Sequence, residues 1–162
     1  MTIQVGQRMP EVILKQLADG LQTLDTAALF DGRKAVLFAV PGAFTPTCSA
    51  RHLPGYVEHF AQFRQLGVEV MCMAVNDAFV MKAWADQQQV PDGLQMLSDG
   101  NAELTRALGL ELDASGSGMG LRSRRFALYV VDGVVQATFI EQPGQFEVSS
   151  AEHVLAYLRD NA

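Results

Sequence analysis

Residues 34–48 read KAVLFAVPGAFTPTC and combine a strand, a turn and a helix start. Residues 34–40 form an almost continuous apolar run of strand length, which is typical of a strand buried on both faces. Pro41-Gly42 is a turn signal that ends this strand. Pro46 suits the first position of a helix, so we expect a helix over residues 46–66, stopped by Gly67.

Strand-like and helix-like patterns alternate along the rest of the chain. Strands are predicted at residues 68–75, 95–97, 126–131 and 134–140, and helices at residues 77–89, 101–108 and 149–159. Asp132-Gly133 is a strong type I′ hairpin signal. This order predicts the α/β class, a thioredoxin-like sandwich with a mixed central β-sheet and helices on both faces, in a single domain over residues 1–162. Residues 115–120 are interpreted as a mobile surface loop.

The composition excludes several classes of partner. The chain has 162 residues, of which 49% are hydrophobic and 19% are charged, as in an ordinary globular protein. A net charge of −6 argues against nucleic acid and anionic membranes. The sequence shows no signal peptide and no apolar stretch of about 20 residues, so we expect a cytoplasmic protein.

The local sequence around Cys48 predicts a reactive thiol. Thr45 is expected to be the N-cap residue, with its hydroxyl capping the helix that Pro46 begins. Cys48 is then the third helical residue, where unpaired N–H groups and the positive end of the helix favour the thiolate. The alternative is a small buried cysteine of the core, but such a residue requires no helix start.

These residues also resemble a known family. Pro41, Thr45 and Cys48 have the spacing of the peroxidatic motif of the peroxiredoxins. The string PGAFTPTCS at residues 41–49 is similar to the peroxiredoxin 5 subfamily, which is also called the plant type II group. The similarity continues in collinear order through HLPGY at 52–56, VNDAFV at 75–80, Trp84 and RSRRFAL at 122–128.

The resemblance implies a thiol-specific peroxidase that needs no cofactor and no metal. In this family the thiolate, here Cys48, attacks hydrogen peroxide or an organic hydroperoxide and becomes a sulfenic acid. The Thr45 hydroxyl is expected to hydrogen-bond the thiolate and the peroxide, Pro41 to shield the pocket, and Arg125 to support the developing negative charge. Further residues expected to contact substrate are Gly42, Phe44 and Thr47.

Arg125 is selected by the resemblance alone. Strand alternation separates Arg125 from Arg124 but does not identify the face of the active site. Without the resemblance, Arg122, Arg124 and Arg125 are a solvated basic patch. His52 follows Cys48 by four residues on the same helical side, and a structural or hydrogen-bonding role is expected for it rather than metal binding.

The fate of the oxidised sulfur is left open by the sequence. Cys72 lies mid-strand, where a buried and inert thiol is the default, yet some plant-type members use a resolving cysteine at about this place. Animal-type members place theirs near the start of the last helix, where this chain has Ser149 and Ser150. A Cys48–Cys72 disulfide needs Cα atoms within about 7 Å, and we expect a helix start and a strand interior to lie farther apart than that without local unfolding. We therefore favour an external thiol, either glutathione with glutaredoxin or thioredoxin.

Two other expectations complete the sequence-based account. A peroxide-sensing relay protein that uses the same cysteine is the alternative function, whereas a thiol–disulfide exchange protein is disfavoured because the chain has no CxxC. The resemblance implies a homodimer, with a contact near the active site that Phe44, Phe79 and Trp84 are candidates to line.

Overall fold

A computed structural model describes residues 1–161 and contains nine strands and six α-helices within them. The strands are β1 (Ile13–Leu17), β2 (Leu21–Asp25), β3 (Lys34–Ala39), β4 (Val68–Ala74), β5 (Gln95–Ser98), β6 (Glu111–Asp113), β7 (Leu121–Ser123), β8 (Phe126–Val131) and β9 (Val134–Ile140). The helices are α1 (Thr26–Phe30), α2 (Leu53–Glu58), α3 (Phe60–Gln65), α4 (Ala78–Gln87), α5 (Glu103–Leu108) and α6 (Ala151–Asn161).

Seven of the strands form one mixed sheet in the order β2-β1-β5-β4-β3-β8-β9. β3, β4 and β5 are parallel neighbours, and the other pairs in the sheet are antiparallel. β6 and β7 form a separate two-stranded hairpin. The predicted α/β, thioredoxin-like sandwich with a mixed sheet is therefore confirmed.

Helices cover both faces of the sheet, which explains the apolar run at its centre. On β3, Val36 and Phe38 join the core beneath α2, α3, α4 and α6, whereas Ala35 and Leu37 join the core beneath α1 and α5. All four side chains are fully buried. Because both faces of this strand are covered, its sequence is continuously apolar instead of alternating.

The predicted helix over residues 46–66 is not one regular α-helix. It begins at Pro46 as predicted, but Cys48–His52 is π-helical, and α2 and α3 are separated at His59. The N-terminal hairpin of β1 and β2 was not predicted, because exposed apolar residues such as Ile13 and Leu21 hide its alternation. The Asp132-Gly133 hairpin is present, with φ values of 48° and 78° as a type I′ turn requires.

Two further sequence-based interpretations concern the loops and the extent of the domain. Residues 115–120 form a loop with a 3₁₀ turn at Ser115–Ser117, which joins β6 to β7. The single domain over residues 1–162 stays a prediction, and its last residue lies outside the described part. Across residues 1–161, no helix combines the length and apolar character needed to cross a membrane.

Candidate active site

The loop between β3 and the next helix is fixed by hydrogen bonds to its own backbone and to the segment that follows β4. The Ala43 N–H donates to Asn76 Oδ1 at 2.9 Å, and the Thr45 hydroxyl donates to the Gly42 carbonyl at 2.7 Å. Among residues 1–161 no backbone N–H donates to this hydroxyl oxygen, so the prediction that it caps the helix is wrong. Its donation to Gly42 also differs from the expected hydrogen bond to the Cys48 thiolate, and that role of Thr45 stays a prediction. Thr45 nevertheless stands at the helix start, because its carbonyl accepts the N–H of Ser49 at 2.9 Å.

A π-helical turn carries the candidate nucleophile. Cys48 is fully buried and begins the π-helical segment, and its carbonyl accepts the backbone N–H of Leu53 five residues later. Its place in the first turn leaves backbone N–H groups unpaired near the sulfur. Such wide turns occur frequently at functional sites. His52 ends the same segment and is also fully buried.

Arg125, just before β8, contacts both ends of this turn. Its Nη2 donates to Cys48 Sγ at 3.3 Å, and its Nη1 lies 2.9 Å from His52 Nδ1. The structure thus brings Arg125, and not Arg124, to the thiol. The Arg124 side chain instead donates to the Glu141 carbonyl at 2.9 Å. A guanidinium beside the sulfur stabilises a thiolate and any negative charge that develops on a bound oxygen.

His52 is held as a neutral ring of one tautomer. Burial and the nearby Arg125 charge lower its pKa to about 3, against a smaller opposing effect of the Ser149 carbonyl. Its Nε2 lies 3.1 Å from that carbonyl, which only accepts, so Nε2 carries the proton. Nδ1 is therefore the acceptor for Arg125. The hydrogen-bonding role expected for His52 is what the structure shows.

A segment before α6 covers the arginine and the histidine. The Phe146 ring lies 5.9 Å from the Arg125 guanidinium carbon and 5.1 Å from the His52 ring, and the Arg51 guanidinium carbon lies 4.7 Å from its centre. The Ser149 carbonyl accepts from Tyr56 Oη at 2.7 Å as well as from His52. These contacts cover His52, which is fully buried, and one side of Arg125, which is only partly buried.

A cavity of about 190 Å³ adjoins this cluster. Its lining includes Pro41, Thr47 and Arg125, so Arg125 both borders the cavity and contacts the buried sulfur. Gly42 is buried, and neither Gly42 nor Phe44 is part of the lining. The Phe44 ring is half exposed and lies 6.5 Å from the ring of Trp84. The substrate-contact roles of these loop residues stay predictions.

Cys72 lies in the middle of β4, paired in register with Phe38 on one side and Met96 on the other. Its side chain is fully buried, and neither it nor Cys48 is in a disulfide. Burial, with a further contribution from Cys48, raises the pKa of the Cys72 thiol well above its ordinary value. Cys72 is therefore a poor nucleophile in this conformation.

The residues that support His52 and the segment before α6 were not predicted from the sequence. Glu141, Ser149, Tyr56 and Phe146 were not identified as site residues, since nothing in their local sequence points to Cys48. In residues 1–161, no group of three or more His, Cys, Asp or Glu side chains is arranged to hold a metal ion.

A thioredoxin-like sandwich with a buried thiol that accepts a hydrogen bond from arginine defines a thiol-dependent redox protein. A model of the Redoxin family matches residues 4–155. Peroxiredoxin-2E-2, chloroplastic, from Oryza sativa subsp. japonica is 52% identical over 164 residues, covering 97% of this chain and 73% of that protein. Peroxiredoxin-2B from Arabidopsis thaliana is 47% identical over 159 residues, covering 96% of this chain and 98% of that protein.

A solved structure shows the same similarity. The crystal structure of reduced Prx3 in complex with H2O2 from Vibrio vulnificus matches with a TM-score of 0.93 and 49% identity, covering 97% of this chain and 99% of that one. The chain belongs to the peroxiredoxins, in the group of the plant type II and peroxiredoxin 5 proteins. It is a thiol peroxidase, whose substrates are peroxides and whose reductant is a thiol.

Proposed function

We propose that Cys48 reduces hydrogen peroxide and organic hydroperoxides through a sulfenic acid that an external thiol then reduces. The Cys48 thiolate attacks one peroxide oxygen, the O–O bond breaks, and the other oxygen leaves as water or an alcohol after taking up a proton. The sulfur is oxidised by two electrons and the peroxide is reduced by two. The single observation that carries this assignment is the 3.3 Å contact between Arg125 Nη2 and Cys48 Sγ.

The cavity beside the site supports organic hydroperoxides as substrates. Pro41, Leu112 and Pro143 contribute apolar side chains to its lining. An alkyl group placed there leaves the O–O group on the side of Arg125. Rapid-reaction assays with hydrogen peroxide and a bulky alkyl hydroperoxide test this point. Leu112→Ala is expected to slow only the alkyl substrate, and equal effects on both substrates would contradict a tail site.

The burial of Cys72 supports external resolution of the sulfenic acid. An attack by Cys72 needs its thiolate, which is disfavoured, and needs movement of a thiol enclosed within the central sheet. An external thiol instead condenses with the Cys48 sulfenic acid to a mixed disulfide and releases water. A second thiol then restores Cys48, and glutathione with glutaredoxin or thioredoxin supplies these two electrons.

Mass spectrometry of Cys72→Ser after one equivalent of peroxide tests this proposal. We expect the mass of one added oxygen atom, followed by full turnover when a glutaredoxin or thioredoxin system is supplied. Wild-type protein is the matched control. If the variant loses turnover with both systems while the wild type forms an internal disulfide, Cys72 is the resolving residue and the proposal is wrong.

We further propose a homodimer whose contact surface includes Phe44 and Phe79. Their side chains are 48% and 60% exposed, which is high for aromatic residues, and Phe44 packs beside Trp84 of α4. Sedimentation of Phe79→Asp is expected to show monomer where the wild type shows dimer. Val5→Asp, at another exposed apolar position, is the control and is expected to stay dimeric. A dimer of unchanged affinity in Phe79→Asp would contradict this surface.

The cytoplasmic location stays a prediction from the sequence. Two of the plant relatives carry the word chloroplastic in their names. Imaging of the tagged protein in its own cells tests the location, and enrichment in an organelle would contradict it.

A further inference from the structure

Glu141 is a buried acid that the peroxidase chemistry described above does not use. It follows β9 directly and is only 4% exposed. Its Oε2 accepts three hydrogen bonds, from the Glu147 N–H at 2.7 Å, the Ser149 N–H at 2.8 Å and the Ser149 hydroxyl at 2.7 Å. Burial opposes ionisation, but the hydrogen bonds from Ser149 and Glu147 outweigh it and hold the pKa of Glu141 below its ordinary value.

Every hydrogen bond that this carboxylate accepts comes from one short segment, residues 147–149. Among residues 1–161, Glu141 forms no ion pair with a lysine, arginine or histidine. Burying a carboxylate costs free energy, and here the donors of residues 147–149 offset that cost. The negative charge thus strengthens the attachment of this segment, since hydrogen bonds to an ionised acceptor are the stronger kind.

The other side of the same segment faces the active site. The Ser149 carbonyl accepts from His52 Nε2 at 3.1 Å, and His52 Nδ1 accepts from Arg125 Nη1 at 2.9 Å. Arg125 Nη2 then reaches Cys48 Sγ at 3.3 Å. The backbone closes a ring, because the Glu141 N–H donates to the Arg125 carbonyl at 3.0 Å.

We infer that Glu141 is a positioning residue for the peroxidatic thiol. Its carboxylate fixes Ser149, the Ser149 carbonyl holds His52 in the tautomer that accepts from Arg125, and the guanidinium is thereby aimed at Cys48 Sγ. The inference rests on the proposed peroxidase chemistry of Cys48 for its effect on rate. The effect of Glu141 on the nucleophilicity of the Cys48 thiol does not depend on the substrate.

Two measurements on Glu141→Ala test the inference. We expect the rate constant for oxidation of Cys48 by hydrogen peroxide to fall about tenfold, since a displaced guanidinium stabilises the reacting sulfur less well. We also expect the pH midpoint for alkylation of Cys48 by iodoacetamide to rise. Glu141→Gln keeps an acceptor oxygen in the same place and is expected to recover part of both losses. Glu111→Ala removes an exposed acid at the start of β6 and is the control.

Coupling to His52 separates positioning from simple support of the fold. If Glu141 acts through His52, the double variant gives the same rate and midpoint as His52→Ala alone, because Glu141→Ala adds no further loss once His52 is absent. Losses that multiply, or a folded Glu141→Ala with wild-type rate and midpoint, would overturn the inference. If Glu141→Ala does not fold, the rate and the midpoint of Glu141→Gln are compared in the same way, with and without His52→Ala.

The two readouts also distinguish this inference from the proposed function. If the wild type does not react with peroxide, but Glu141→Ala still lowers the reactivity of Cys48 with iodoacetamide, the peroxidase chemistry is contradicted and the positioning role of Glu141 is supported. A reactive wild type with an unchanged variant contradicts the positioning alone.

Discussion

At the scale of the residue, Arg125 connects the reacting sulfur to the rest of the fold. One guanidinium nitrogen donates to Cys48 Sγ and the other to His52 Nδ1. The planar fork of arginine fits two acceptors at fixed directions, and its charge is permanent at any working pH. Lysine offers a charge but no fork, so it cannot satisfy both partners in the same way. The site therefore depends on this residue type as well as on its charge.

Replacement of Arg125 by methionine is expected to lower the rate of Cys48 oxidation by peroxide about 100-fold, the usual effect of losing one donor to a developing negative charge. Arg125→Lys is expected to recover only a small part of this loss. Stopped-flow fluorescence of Trp84 measures the rate. Arg106→Met, on the exposed side of α5, is the control. A variant at Arg125 with more than half of the wild-type rate would contradict this role.

The neutral His52 predicts how stability depends on pH. An unfolded histidine has a pKa near 6.5, whereas the folded value is about 3. Between these values the unfolded chain binds more protons, so stability falls as the pH falls. We expect a loss of about 2 kcal/mol between pH 7 and pH 5 from this residue. Urea unfolding of the wild type and His52→Asn measures it, and equal losses in both proteins would show that His52 is not the cause.

At the scale of the element, the π-helical segment Cys48–His52 determines which side chains share Arg125. The wider turn brings its first and last residues to the same guanidinium. The sequence predicts the start of this helix, because Pro46 fixes it, but gives no sign of the wider turn. The π-helical hydrogen bond spans one residue more than an α-helical one. Tertiary contacts of His52 with Ser149 and Phe146, which are about 100 positions away, stabilise this wider turn.

The end of α5 offers a test of local geometry. Gly109 and Gly118 share a φ of +71°, but a Cβ on Gly109 would collide with the backbone of Met1, whereas the space around Gly118 is open. Both alanine variants carry the backbone strain, and only Gly109→Ala also displaces the chain start. We expect Gly109→Ala to lose at least 1 kcal/mol more unfolding free energy than Gly118→Ala. Urea titration measures both, and equal losses would contradict the packing of Met1 on this helix.

At the scale of the whole molecule, the sheet explains what the sequence can and cannot predict. β3, β4, β8 and β9 are apolar runs with clear turn signals, so their sequence alone locates them. The hairpin of β1 and β2 lies at the edge of the sheet, where solvent permits an irregular pattern.

The reacting residues were predictable only where they are local or resemble a known motif. Cys48 and Thr45 belong to one short string, although the hydrogen bond of the Thr45 hydroxyl differs from the predicted cap. Arg125 required the family resemblance. Glu141 and Ser149 approach His52 because β8 and β9 carry the chain back beside the π turn, and no local pattern encodes that approach.

We propose that the Arg125 contact makes Cys48 a peroxidatic thiol, and the second-order rate constant of Cys48 with hydrogen peroxide tests this most directly. Stopped-flow fluorescence of Trp84 on the reduced protein measures that constant, with Cys48→Ser as the control. We predict a constant several orders of magnitude above that of a free cysteine, and no signal from Cys48→Ser. A constant equal to that of a free cysteine, or an equal signal from Cys48→Ser, would contradict the account.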